Sequence, residues 1–223
     1  MLKIAKTPTI LFSTLIACTV AFPNQSQATT VRFSTNVGSF DVALFDEAAP
    51  ITVANFLDYV NSGVYDNSII HRSVPSFVIQ GGGYGTDLSA LPANDPIINE
   101  SSISNTRGTI SMARTQDPDS ATNQWFFNVV DNDFLDDQSG GFAVFGEVLG
   151  DGMSVISDIN DLSRNSENGS PFFDLPTLEP NLGTSPENLV VIESIAVVPE
   201  PSTSILALFA LISVVGRSRS RSS

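Results

Sequence analysis

The chain is poor in cysteine, histidine, tryptophan and lysine. Of its 223 residues, one is cysteine, one histidine and one tryptophan. The two lysines are Lys3 and Lys6. A single cysteine excludes an intrachain disulfide, so stability has to come from core burial. Between Thr29 and Val198 lysine is absent, and 23 acidic residues stand against five arginines, a formal charge of −18. Binding phosphate requires clustered cations, so nucleic acid is excluded as a partner. The acidity reads as a self-repelling, soluble surface of an exported protein. Asp131-Asn132-Asp133 and Asp136-Asp137 have neither the spacing nor the glycine of an EF-hand loop. No metal and no other cofactor is expected. Long apolar runs are missing too: those at 10–22 and 205–215 fall short of the about 20 residues a membrane span needs.

Both ends read as processing segments. Lys3 and Lys6 precede the first apolar run, and Ser26-Gln27-Ala28 puts small residues where a signal peptidase reads. The segment 1–28 is therefore expected to be a cleaved secretory signal. Leu15-Ile16-Ala17-Cys18 also resembles a lipobox, the alternative being a lipidated Cys18. At the other end, Val198-Pro199-Glu200-Pro201 is followed by the second apolar run and by Arg217, Arg219 and Arg221. As a helix, eleven residues cover about 16 Å of a core roughly 30 Å thick. This tail, 199–223, resembles a PEP-CTERM sorting signal. It implies transient contact with the membrane and a sorting protease. The expected location is outside the inner membrane: periplasmic, at the outer surface, or secreted after processing.

Between the ends, Val31 and Phe33, then Phe40, Val42 and Leu44, alternate at period two around Asn36-Val37-Gly38, a hairpin pattern. Pro50 opens a helix whose Val53, Phe56, Leu57 and Val60 share one face, with Gly63 placed to end it. Further strands are predicted at 69–72, 77–80, 109–113, 124–130, 143–149 and 189–197, and a short second helix at 153–159. Many strands with two helices predict a mostly β fold, a closed antiparallel barrel. The stretch 160–188 reads as a long surface connection pinned by Phe172-Phe173.

Five blocks occur in order. They are His71-Arg72-Ser73-Val74-Pro75-Ser76-Phe77-Val78-Ile79-Gln80-Gly81-Gly82, Gly108 to Arg114, Ser120 to Phe127, Phe134-Leu135-Asp136, and Phe142 to Val148. They closely resemble the cyclophilin signature and the family's following strands, across nearly all of 29–198. The resemblance implies an eight-stranded barrel with two capping helices. It also implies a peptidyl-prolyl cis-trans isomerase acting on proline-containing polypeptides. By the same resemblance Arg72, Phe77 and Gln80 are the catalytic residues. Val78, Phe126, Leu135 and Phe142 match the proline pocket, Gln124 a polar contact, and Ala113 with the Arg114 backbone flank the residue before proline. Phe134 stands at a substrate-binding position.

The chemistry suits those residue types. An X-Pro amide is held by resonance behind a barrier of about 18–20 kcal/mol. Catalysis needs an apolar seat for the ring, donors for the flanking backbone and a permanent cation, which Arg72 supplies at any working pH. Taken singly, a Phe or Val in a strand is core and an Arg is surface charge. Gly81-Gly82-Gly83 lacks the context of a phosphate loop. His71 reads as structural. A docking module of the cell envelope that binds proline peptides without catalysis is the competing function, and a purely structural barrel is a third. Several positions depart from the signature. Val78 stands for Met, Phe134 for Trp, Phe142 for His, Arg114 for Asn, and Trp125 for the first ring of the Phe-Phe pair. Phe134 and Phe142 point to the bacterial branch and to weak cyclosporin binding. An inward Trp125 threatens overpacking.

Overall fold

The computed structural model describes residues 28–166 and 169–199. The expected leader, Cys18 and all of the sorting tail beyond Pro199 lie outside them. Strands β1 (Thr30–Thr35) and β2 (Ser39–Leu44) form the predicted hairpin, closed by mutual backbone bonds between Thr35 and Gly38. Then come α1 (Pro50–Asn61), β3 (Ser68–Ile69), β4 (Arg72–Val74), β5 (Val78–Gly81), β6 (Thr109–Met112) and β7 (Trp125–Asn128). A one-turn α2 (Phe134–Asp137), β8 (Val144–Val148), α3 (Gly152–Asp161), β9 (Ser163–Asn165), β10 (Leu175–Thr177) and β11 (Val191–Val197) complete the order.

The main sheet runs β3-β11-β1-β2-β8-β6-β7-β5-β4, with antiparallel pairing throughout. Its two ends are consecutive in the chain. The Ile70 amide donates to the Val190 carbonyl and the His71 amide to Gln80, each at 3.0 Å. The run 68–74 is thus one strand that changes partner midway, and through it eight strands close the predicted barrel. Phe33, Phe40, Phe127 and Trp125 fill the interior, ring against ring at 5.1 to 5.4 Å.

Helix α1 begins with the expected proline but has no local N-cap side chain. Glu100, 48 residues away from Thr52, accepts from the Ile51 and Thr52 amides at 3.2 and 2.8 Å. A carboxylate there satisfies orphan donors and the positive end of the helix. Gly63, at φ 70°, follows its last turn as predicted.

The connection 160–188 is more ordered than expected, with β9 and β10 forming a small hairpin of their own. Asn160 Nδ2 donates to Ser73 Oγ and the Val74 carbonyl at 3.0 and 3.1 Å, tying the excursion to β4. Phe172 is its anchor together with the fully buried Leu175, whereas Phe173 is 57% exposed, contrary to the expectation that both rings pin it. Among the described residues no helix is long and apolar enough to cross a membrane.

Candidate active site

Strand register builds the site. Arg72 lies opposite Gln80, and Gln80 opposite Phe126. Paired residues share a sheet face, so these three form a row on the outside of the barrel, with Val78 beside them. Their neighbours Ser73, Ile79, Trp125 and Phe127 point inward and are fully buried. Val78, Phe126 and Leu135 make an apolar cluster apart from the core, with Phe77, Ala113 and Phe142 packed on it. These side chains enclose a hollow of about 240 Å³, rimmed by Arg72, Gln80, Arg114 and Gln138. A larger hollow of about 860 Å³ runs beside α1, but it has no aromatic ring and no cation in its wall.

Arg72 Nη1 donates to Gln80 Oε1 at 3.4 Å, and its Nε faces Asp174 Oδ2 at 3.9 Å. Its guanidinium carbon is 5.8 Å from the centre of the Phe77 ring. Gln80 Nε2 in turn donates to Gln124 Oε1 at 2.9 Å. The half-exposed Asp174 pair is worth under about 1 kcal/mol, so it orients the cation more than it stabilises the fold.

Ten of the eleven predicted site residues converge directly on the hollow or hydrogen-bond a residue that does. Gln124 is not in the wall and acts through Gln80. Phe134 is the eleventh. It is 60% exposed and outside the wall, its ring stacked on Phe77 at 5.7 Å, because the turn of α2 directs Leu135 inward instead. The Arg114 side chain lines the hollow, where a backbone contact alone was expected.

Several contributors escape a sequence reading. Gln138 lines the hollow, and Asp174 reaches Arg72 from the 160–188 excursion. Behind the pocket, Asp136 accepts from Ser104 Oγ and from the Asn105 amide and Nδ2 at 2.5, 2.9 and 2.8 Å. Asn105 Oδ1 accepts from Ser111 and Asn128, and Asn132 Nδ2 donates to Asn128 Oδ1 and the Phe77 carbonyl at 2.7 and 3.0 Å. One network, buried at Asn105, Ser111, Asn128 and Asn132, thus fixes both α2 and Phe77. Its members are common polar residues scattered between Ser104 and Asp136, with no local spacing to mark them.

His71 is buried and packs edge-on to Tyr84 at 4.9 Å, and its Nδ1 has no hydrogen-bond partner. Burial, aided by the Arg72 charge and opposed by a Gln124 contact, pushes its pKa down to about 4. A neutral, enclosed imidazole fits the structural role expected of it. Trp125 does point inward, but overpacking is relieved by glycine. A Cβ on Gly81 would lie 2.6 Å from the Trp125 ring, and one on Gly82 2.7 Å from its Nε1.

The profile of the family described as cyclophilin type peptidyl-prolyl cis-trans isomerase/CLD matches residues 30–178. The chain belongs to the cyclophilin family. Peptidyl-prolyl cis-trans isomerase A of Dickeya dadantii is 46% identical over 154 residues, covering 67% of this chain and 80% of that protein. Isomerase B of Escherichia coli is 49% identical over 136 residues, covering 58% and 82%. The fold is similar to that of a Cryptosporidium parvum cyclophilin-type isomerase, whose crystal structure was determined in the presence of the dipeptide Ala-Pro. That match has a TM-score of 0.60 at 22% identity and covers 77% of this chain and 99% of the other. This cyclophilin is a peptidyl-prolyl cis-trans isomerase.

Proposed function

We propose that this isomerase acts on X-Pro bonds of exported or surface proteins, with Arg72, Phe77 and Gln80 as its catalytic residues. The observation that carries the assignment is the row Arg72–Gln80–Phe126, which sets a permanent cation beside an apolar hollow. A dipeptide such as Ala-Pro is the kind of ligand that hollow suits. The proline ring enters between Phe77, Val78, Phe126, Leu135 and Phe142. Gln80, steadied by Gln124, holds a flanking peptide group, and Ala113 with the Arg114 backbone flanks the residue before proline. As the amide twists, the prolyl nitrogen regains its lone pair and an Arg72 N–H donates to it. That bond forms only as the barrier is climbed, which is what accelerates a reaction. A module that only docks proline would need no such cation, so Arg72 favours turnover over docking.

The export context rests on sequence. The signal-like pattern of 1–28 precedes β1 in the sequence, and the PEP-CTERM-like tail follows β11. Isomerisation of a proline tetrapeptide by the purified chain tests the function. Intact-mass measurement of the native protein tests the processing. Loss of 1–28 and most of 199–223 is expected. Retention of 205–215 would sink the sorting reading, and a lipid on Cys18 would replace cleavage after Ala28.

A further inference from the structure

Arg114 carries the only guanidinium at the hollow besides Arg72, yet it is not among the ion pairs of the described residues, Arg32–Asp41 and Arg72–Asp174. Its three nitrogens turn to backbone carbonyls. Nε donates to Gly141 at 2.9 Å, and Nη2 to Gly141, Gln138 and Ser139 at 2.6, 2.8 and 3.2 Å. Nη1 donates to Thr115 at 2.8 Å. The carbonyls converge because Ser139, Gly140 and Gly141 are all left-handed, at φ 50°, 92° and 78°. A side chain at Gly141 would strike the Asp136 carbonyl and Ser101, each at 2.8 Å. Asn99 and Ser101 hold the Gly140 carbonyl from the far side at 2.9 and 2.6 Å. The next residue is Phe142, whose ring centre lies 4.1 Å from the Arg114 guanidinium carbon and which closes the pocket over Phe126.

We propose that the Arg114 side chain is a positioning residue that locks the turn 138–141 and holds Phe142 as the pocket wall. Resting on the isomerase site described above, it sets the affinity for the proline ring rather than acting on the amide. A planar fork with a flat cationic face does both jobs at once: its edge binds several carbonyls while its face covers a ring. Lysine has one donor centre and no such face, so it cannot replace arginine here.

The test compares the full wild-type chain with Arg114→Lys, Arg114→Ala, Phe142→Ala and the double variant Arg114→Ala/Phe142→Ala, using initial isomerisation rates over a range of proline-tetrapeptide concentrations. A wall that must be ordered at each binding event weakens binding, so KM is expected to rise about tenfold in either Arg114 variant, with kcat within about twofold. If Arg114 acts through Phe142, removing it after Phe142→Ala adds little, a non-additive cycle. Wild-type KM in Arg114→Lys, full additivity, or a fall in kcat at constant KM would each overturn the proposal. Should Arg114→Ala not fold, Arg114→Lys carries the test. Amide hydrogen exchange at Gly140 to Phe142 gives a readout independent of turnover and is expected to quicken in Arg114→Lys. Unchanged exchange there contradicts the proposal, whereas an inactive wild-type chain contradicts the functional reading instead.

Discussion

Lowering the pH should weaken this fold through one residue, His71. Its imidazole is enclosed and pushed down to about 4, while in the unfolded chain it titrates near 6.5. The folded value is the lower, so between the two the unfolded state takes up the proton first. Stability from keeping His71 neutral is therefore fully present above about pH 6.5 and is lost as pH falls toward about 4. A difference of about 2.5 units corresponds to about 3 kcal/mol, a large share of a typical domain's stability. Hydrogen bonds hold the carboxyls of Asp41, Asp87, Asp136 and Glu187 below the ordinary range. Their contributions vanish mainly below it. The assay is urea unfolding at steps from pH 7.5 to 4.5, for wild type and for His71→Phe, which keeps a ring against Tyr84 and cannot titrate. Self-repulsion of the acidic surface changes equally in both and cancels in the comparison. The variant should lose most of the slope between pH 6.5 and 4. An equal slope in the two proteins would refute the account of His71.

Gly81→Ala should cost about 1–3 kcal/mol, because its methyl collides with the Trp125 ring, and Trp125→Phe should restore much of it. Thermal unfolding of the double-mutant cycle checks this coupling. Phe134→Trp adds an indole N–H beside Phe77 at an exposed position. If a cyclic peptide inhibitor uses that donor, cyclosporin affinity by titration calorimetry should rise by a factor of about 2 to 13, the worth of one net hydrogen bond.

Much of the barrel and most of the pocket were legible because they depend on short-range pattern. Alternation at Phe40, Val42 and Leu44 marks a half-buried strand, and the block from His71 to Gly82 holds Arg72 and Gln80 at a spacing that antiparallel pairing brings face to face. What stayed hidden depends on distant partners. The run 68–74 looks like one uniform strand, and only the positions of Val190 and Gln80 make it change neighbours. Glu100 gives no sign that it caps a helix 48 residues back. β9 and β10 are three residues each and have no periodicity long enough to read. Arg114 is visible as a departure from the signature, but its role needs three successive left-handed residues, of which Ser139 is one no composition rule would flag.

The central claim is that Arg72 is the largest single source of transition-state stabilisation, and Arg72→Ala tests it most directly. A rate enhancement on the order of 10⁵ needs about 7 kcal/mol, of which one preorganised donor supplies about 3–4. The apolar hollow and the Gln80–Gln124 pair hold the peptide and supply the rest. Because Arg72 makes only long contacts, at 3.4 Å to Gln80 and 3.9 Å to Asp174, its removal should leave the barrel intact. The measurement is kcat/KM on a proline tetrapeptide for wild type, Arg72→Ala and Arg72→Lys, with circular dichroism to verify folding. The account predicts a loss of about 10²–10³-fold in the alanine variant and little recovery with lysine. A folded Arg72→Ala that keeps near-normal activity would contradict it.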